Sequence, residues 1–433
     1  MGCKQTPPLP FEIIVYILES YVDTNSRLDG DYMVIPFVSQ SKFIQDCKFV
    51  RNCSLVSTHW NAASRDVLSR LRTIVGASAV VLTDPPHKRV ALLFLGKCSN
   101  AQAYLNLLDV QSTRSYPIRH LVFYMGERPT KERDKLGHLA AELLYKCTSL
   151  HFLEVDSGGM SLRRVLSSPV PFGKVMPTFA FLRQLSIRFH PLADVAGFLQ
   201  HCPNLKAFYL TGSTYMPVLE NPVEKVTAIF PWSSPLPSFS LNELHIFDSD
   251  FTAEECRWLL TSSLHTLATL HLFHVWALSP LASVLALTSA VKHLYLRPLR
   301  TSRFQGVKDN YLPILASLKG LKTLRLDGLE GFWTTVFVAI ADTGELESLD
   351  VELRLEVVEP LVQVLSHPEW QRGLRTLVVR HRRCMDHTWR LSRERVKDTQ
   401  KQLEEVCAGR DIVLRWITLD QPSILYTGYR MSS

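Results

Sequence analysis

The chain has 433 residues, 46% of them hydrophobic and 21% charged, with a formal net charge of +7 at pH 7. That composition excludes a disordered chain, and the length exceeds the roughly 250–300 residues one core covers, so several domains or an elongated repeat array are expected. The longest apolar runs, such as Val90–Leu95, fall far short of the ~18 residues of a bilayer span, so no membrane partner is expected, and nine scattered cysteines without a CxxC pair predict reduced thiols in a cytoplasmic and/or nuclear protein.

Residues 1–6, MGCKQT, read as a disordered lead-in. Gly2 and Thr6 stand in the frame of a myristoylation signal and Cys3 offers a second acylation site, but Pro7 directly behind disfavours that reading, and the segment lacks the apolar core of a secretory signal. From Leu9 to Val22, LPFEIIVYILESYV spaces Leu9, Ile13, Ile14, Ile17, Leu18 and Tyr21 along one broad apolar helical stripe. Pro10 suits the first turn, where a missing N–H costs nothing, and Glu12 complements the helix dipole. The polar stretch Asp23, Asn25, Asp29, Gly30 and Asp31 ends the helix. A second helical pattern starts at Phe49, with Val50, Cys53, Val56, Trp60, Ala63 and Val67 at near-helical spacing and Ser57 or Thr58 placed to cap a break before Trp60.

The two halves, Leu9-Pro10-x-Glu12-Ile13-Ile14-x-x-Ile17-Leu18 and Cys53-Ser54-Leu55-Val56-Ser57-Thr58-His59-Trp60, resemble the F-box, a short three-helix module. The resemblance covers residues 7–75, with an insertion at 23–46 that a compact F-box lacks. It implies docking on the Skp adaptor and, through it, on the cullin of a ubiquitin ligase. By motif match Leu9, Pro10, Ile13, Ile14, Ile17, Leu55, Val56 and Trp60 would form that interface, Trp60 serving partly as module core. A helical piece of this size buries too little surface to stand alone. Its apolar stripe therefore needs a cover, either an adaptor groove or the rest of the chain.

Beyond residue 76 a phrase L-x-x-L-x-(L/I/V) returns: LHFLEV from Leu150, LRQLSI from Leu182, LKAFYL from Leu205, LNELHI from Leu241 and LATLHL from Leu267. It continues as VKHLYL from Val291, LKTLRL from Leu321, LESLDV from Leu346 and LRTLVV from Leu374, with a fainter IRHLVF from Ile118. The spacing averages about 28 residues, which with the phrase is the leucine-rich-repeat signature. Amphipathic helical segments lie between, at 138–147, 191–202, 255–263, 280–287, 310–318, 335–341 and 360–366. A last helix is expected over Arg393–Ala408, stopped by Gly409, and a last strand over 412–417. The asparagine of strict repeats is mostly absent, and the intervals are uneven, which resembles the irregular repeats of fungal and animal F-box/leucine-rich-repeat proteins. The expected fold is α/β: an N-terminal helical module followed over 76–418 by a solenoid with a parallel sheet on its concave face and helices outside, then a loose tail at 419–433. The longest interval, with Pro217, Pro222, Pro231, Trp232, Pro235 and Pro237, reads as an excursion loop.

In each repeat strand the leucines point inward and the residues between them face the other side. One outward column is Glu154, Ser186, Tyr209, His245, His271, Tyr295, Arg325, Asp350 and Val378; the next is Asp156, Arg188, Thr211, Phe247, Phe273, Arg297, Asp327, Glu352 and Arg380. Strands ~4.7 Å apart would join Tyr209, His245, Phe247, His271, Phe273 and Tyr295 into an aromatic patch bordered by Arg297, Arg325, Asp327, Asp350 and Glu352, the expected surface for a protein substrate.

Catalytic signatures are absent: the sequence has no P-loop, no GxGxxG and no GxSxG. Asp156-Ser157-Gly158-Gly159 echoes a serine-protease nucleophile loop without its preceding glycine. His381, Cys384 and His387 have zinc-like spacing, but Arg380, Arg382 and Arg383 beside them would repel a dication. The segment 380–401 carries eight Lys/Arg against three acidic residues, a net +5 of the chain's +7, and reads as a solvated basic face, with nucleic acid an unfavoured partner. The expectation is a non-enzymatic adaptor without cofactor or metal; its alternative is a repeat scaffold or ligand sensor whose N-terminal helices only cap the solenoid.

Overall fold

The structure is a computed structural model that describes residues 9–18, 49–70 apart from 51, 92–95, 120–124, much of 139–156, 178–188, 192–212, 235–247, 251–273, 278–287, 290–297, 311–327, 333–341, 346–352, 355–382 and 393–419, with a few single positions besides. The chain divides into two compact units. The first comprises Met1–Phe189 and Asp194–Leu205, the second His190–Ala193 and Lys206–Ser433. The lead-in, the insertion at 23–46, the excursion at 213–234, the zinc-like triad beyond its first member and the tail after 419 lie outside the described residues.

In the first unit, α1 is helical over 11–18, a short helical turn covers residues around 49–53, and α2 runs Thr58–Arg70. The Ser57 hydroxyl accepts the Trp60 N–H at 3.3 Å, so Ser57 caps α2 as the sequence suggests. Four parallel strands follow, β1 (Leu92–Leu95), β2 (His120–Tyr124), β3 (Phe152–Asp156) and β4 (Gln184–Arg188), each paired with its neighbour in the chain. β2, β3 and β4 each begin two residues into a repeat phrase. β1 has no such phrase, only the apolar run from Val90, so the repeat pattern does not find it. Leu153, Val155, Leu185 and Ile187 are fully buried, as the alternation requires. Helix α3 (Leu192–Leu199) buries Val195, Ala196, Phe198 and Leu199, with Phe198 against Phe179 at 5.1 Å.

Among the described residues the second unit holds eight parallel strands in chain order: β5 (Ala207–Thr211), β6 (Glu243–Phe247), β7 (Thr269–Phe273), β8 (His293–Arg297), β9 (Thr323–Leu326), β10 (Ser348–Glu352), β11 (Thr376–Arg382) and β12 (Val413–Leu419). Helices α4 (Ala253–Leu260), α5 (Leu278–Leu285), α6 (Leu312–Ser317), α7 (Trp333–Ala341), α8 (Leu355–Leu365) and α9 (Arg393–Ala408) alternate with the strands from β6 onward. Parallel neighbours require such crossovers. The phrase leucines form the core: Leu244, Leu270, Leu294, Leu324, Leu349 and Leu377 are at most 2% exposed. Fully burying each contributes about 1.5–3 kcal/mol.

Backbone rungs tie successive strand starts together: Asn242 N donates to Lys206 O, Ala268 N to Asn242 O, Lys292 N to Ala268 O, Lys322 N to Lys292 O and Glu347 N to Lys322 O, all at 2.8–2.9 Å. Polar side chains also satisfy backbone groups beside the strands. Ser263 Oγ accepts the Leu241 N–H, and Gln371 Oε1 accepts the Leu346 N–H while its Nε2 donates to Ile340 O. Buried backbone groups must be satisfied, which these side chains do.

Helix starts differ from expectation by two residues at α4, α5, α6 and α7 and by five at α8. Helix α4 begins at Ala253 rather than 255 because Thr252 and Glu255 form a capping box: Glu255 N donates to Thr252 Oγ1 and Thr252 N to Glu255 Oε2. Helix α8 begins at Leu355, with Pro360 inside it rather than in its first turn; the buried Leu361 and Leu365 fix its later turns. The segment 380–401 also differs. Its first residue, Arg380, belongs to β11 and is 1% exposed, so it is not part of a solvated face. No helix among the described residues is long and apolar enough to cross a membrane.

Candidate functional site

Two regions carry the residues singled out from the sequence, one in each unit. In the first, α1 is two-sided. Ile14, Val15 and Leu18 pack with Val50 and Ala63 into a small core, against which Phe11, Cys53 and Trp60 are partly buried. The row one step round the helix faces away: Leu9 is 47% exposed, Ile13 46% and Ile17 41%. Residues four apart share a face, so 9/13/17 and 14/18 form adjacent rows, one outward and one inward. After the turn at 49–53, Leu55 N donates to Asn52 O and Val56 N to Cys53 O. That tight turn leaves Leu55 84% and Val56 67% exposed.

Of the eight residues expected to meet an adaptor, Leu9, Pro10, Ile13, Ile17, Leu55 and Val56 are exposed. Ile14 is corrected: at 1% exposure it is core, because the stripe is wider than one contact face and its inner edge folds onto Val50 and Ala63. Trp60 is half-buried against the same core. The sequence reading missed Tyr16 and Phe49, both exposed beside these residues; Tyr16 lies three residues after Ile13, a spacing that signals the same face.

In the second unit, the register brings the two columns together as the alternation predicts. His245 pairs with Tyr209 on one side and His271 on the other, His271 with Tyr295, and Tyr295 with Arg325. The rings touch in series: Tyr209–His245 4.3 Å between centroids, His245–His271 3.8 Å, His271–Tyr295 5.4 Å, Phe273–Tyr295 4.5 Å and Phe247–Phe273 5.8 Å. The Arg325 guanidinium lies 4.2 Å from the Tyr295 ring centroid.

The expectation that this patch is open is corrected. Tyr209, His245, Phe273, Tyr295 and Arg297 are all buried, at most 7% exposed, and only Phe247, His271 and Arg325 of the eight keep partial exposure. Large side chains in register on adjacent strands cover one another, so facing away from the leucine core does not by itself mean facing water.

Several polar groups within this face are paired, while Arg297 Nε and His271 Nδ1 are enclosed without a hydrogen-bond partner. Glu243 accepts from the Tyr209 hydroxyl at 3.1 Å and from His245 Nε2 at 2.6 Å. Arg380 donates Nη1 to Asp327 at 3.1 Å and Nε to Asp350 at 2.7 Å, with Nη2 on the other Asp327 oxygen. Arg325 lies 3.6 Å from Asp327 and 3.7 Å from Asp350, and the Tyr295 hydroxyl donates to Asp327. Burial works to raise the Asp327 carboxyl, but the Arg380 charge and its hydrogen bonds hold it below the usual range. For Asp350 burial wins and the carboxyl is raised. Burial pushes His245 down against the pull of Glu243, and pushes His271 well down with the help of His245 and Arg325. Both imidazoles are held neutral. The sequence reading placed Asp327, Asp350 and Arg380 in the columns without their pairing; strand alternation puts them on one face, but no local signal reports that Arg380 reaches two strands.

No group of three or more potential metal ligands is found among the described residues. No family model matches the chain, and no curated protein matches it.

Proposed function

We propose that the chain is a non-catalytic substrate-recognition adaptor of a Skp–cullin–F-box ubiquitin ligase, with F-box-like N-terminal helices followed by irregular leucine-rich repeats. The observation that carries this reading is the apolar surface of Leu9, Ile13, Tyr16, Ile17, Leu55 and Val56, exposed on one short helix and the turn beside it. Contiguous exposed apolar side chains of this kind mark a partner surface. The rival capping role would bury this face against the repeats. The substrate would be held by the repeat sheet through its half-exposed positions Phe247, His271 and Arg325. Such an adaptor works by raising the local concentration of substrate at the ligase and needs no bond chemistry of its own.

Affinity capture tests it. The tagged full chain is expected to retain purified Skp, and Ile17→Asp or Leu55→Asp to lose at least about tenfold in affinity, since a charge at an apolar contact costs more than 1.4 kcal/mol. Wild type that retains no Skp would sink the reading.

A further inference from the structure

On the strand face of the second unit, Arg325 and Arg380 hold Asp327 and Asp350 between them. Arg297, the last residue of β8, takes no part in those pairs. It is 6% exposed, its Nε is enclosed without a hydrogen-bond partner, and among the described residues it forms no ion pair. Among the described residues neither neighbouring strand offers a free acceptor. Phe273 stands at the same register on β7, and on the β9 side Asp327 is already taken up by Arg380, Arg325 and the Tyr295 hydroxyl. Glu352, two strands away on the same face, has interactions of its own. A second nitrogen on β7 is in the same condition: His271 Nδ1 is enclosed and unpartnered, with its ring 6.1 Å from that of Phe273.

A guanidinium with Nε enclosed, only 6% of the residue exposed and no anion beside it is unfavourable, and a planar oxyanion is what its fork of N–H donors matches. We infer that Arg297 anchors an oxyanion site on this face, taking a carboxylate or phosphate group, with His271 as the nearby nitrogen available to the same ligand. The remaining few per cent of exposed surface suits a small terminal group rather than a broad contact. The inference goes beyond the adaptor reading and does not depend on it, because it concerns anion binding by the chain alone.

Thermal unfolding of the full chain tests it, with sodium phosphate, sodium acetate and N-acetyl-phosphoserine amide each titrated against sodium chloride at equal ionic strength. At least one of the three anions is expected to raise Tm with saturation, as a ligand of the native state must. Arg297→Met is expected to lose that rise. Arg297→Lys keeps the charge without the fork and is expected to bind about tenfold more weakly; it carries the test if the Met variant does not fold. A stronger response to the capped phosphoserine than to inorganic phosphate assigns the anion to a protein side chain, and the reverse assigns it to a free anion. A wild-type response no larger than that to chloride, or an unchanged response in the Lys variant, overturns the site.

Discussion

Arg380 is the residue on which the charged end of the second unit depends. Replacing it with Met leaves Asp327, 1% exposed, as a buried carboxylate without its bidentate partner. The expected loss is about 3–5 kcal/mol in urea denaturation, and Arg380→Met with Asp327→Leu should recover at least about 1 kcal/mol of it, because a breached buried pair is worse than an apolar replacement. A double variant no more stable than the sum of the singles would show that the two do not act as a unit. Histidine supplies a second test, through pH. His271 binds protons less well folded than unfolded, where its pKa is about 6.5. The unfolded state therefore takes up more protons below that value, and stability is level above about pH 6.5 and falls as pH drops toward the folded pKa. His271→Phe should give a shallower slope between about pH 5 and 6.5, the lowered His245 and His201 keeping part of it; an unchanged slope would refute a buried neutral imidazole. Asp327 adds loss of the same sign only at lower pH, since its carboxyl is held down. Strand alternation made the company these residues keep legible in the sequence. Their pairing was not, since Arg380 meets a partner 53 residues back along the chain and no local pattern encodes that distance.

At the scale of elements, α1 shows how far an apolar stripe can be read. Its helical period was plain, but the division between core row and outward row depends on where Val50 and Ala63 fall, which no spacing within α1 states. Ile14→Ala should therefore cost about 2–5 kcal/mol of stability in the first unit, the usual penalty for a large-to-small change in a core. Ile17, three residues on and 41% exposed, should tolerate alanine within about 0.5 kcal/mol. Equal costs at the two positions, measured by chemical denaturation, would mean that the outward row is covered in the folded chain. The strands were the most legible elements. The phrase L-x-x-L-x-L marks both the strand and its two core positions, whereas helix starts shifted where a capping box acted, as at Thr252.

At the largest scale, the decisive feature is that within the second unit each described strand pairs only with its neighbours in chain order, β5 through β12. Stability in such an array is a sum of local terms and nearest-neighbour terms, so damage near an end can stay local while damage in the middle cuts the array in two. Leu270 on β7 and Leu377 on β11 are both fully buried core leucines of the same phrase, and alanine at either removes a comparable contact. Their effects should nonetheless differ in reach. In native-state hydrogen exchange, Leu377→Ala is expected to speed exchange in β10, β11 and β12 and leave β5 to β7 near wild-type protection. Leu270→Ala is expected to speed exchange on both sides, from β5 through β9, because neither flank keeps its neighbour. A uniform rise across all eight strands in the Leu377 variant would mean that the unit unfolds as one cooperative block, and the nearest-neighbour account would fail.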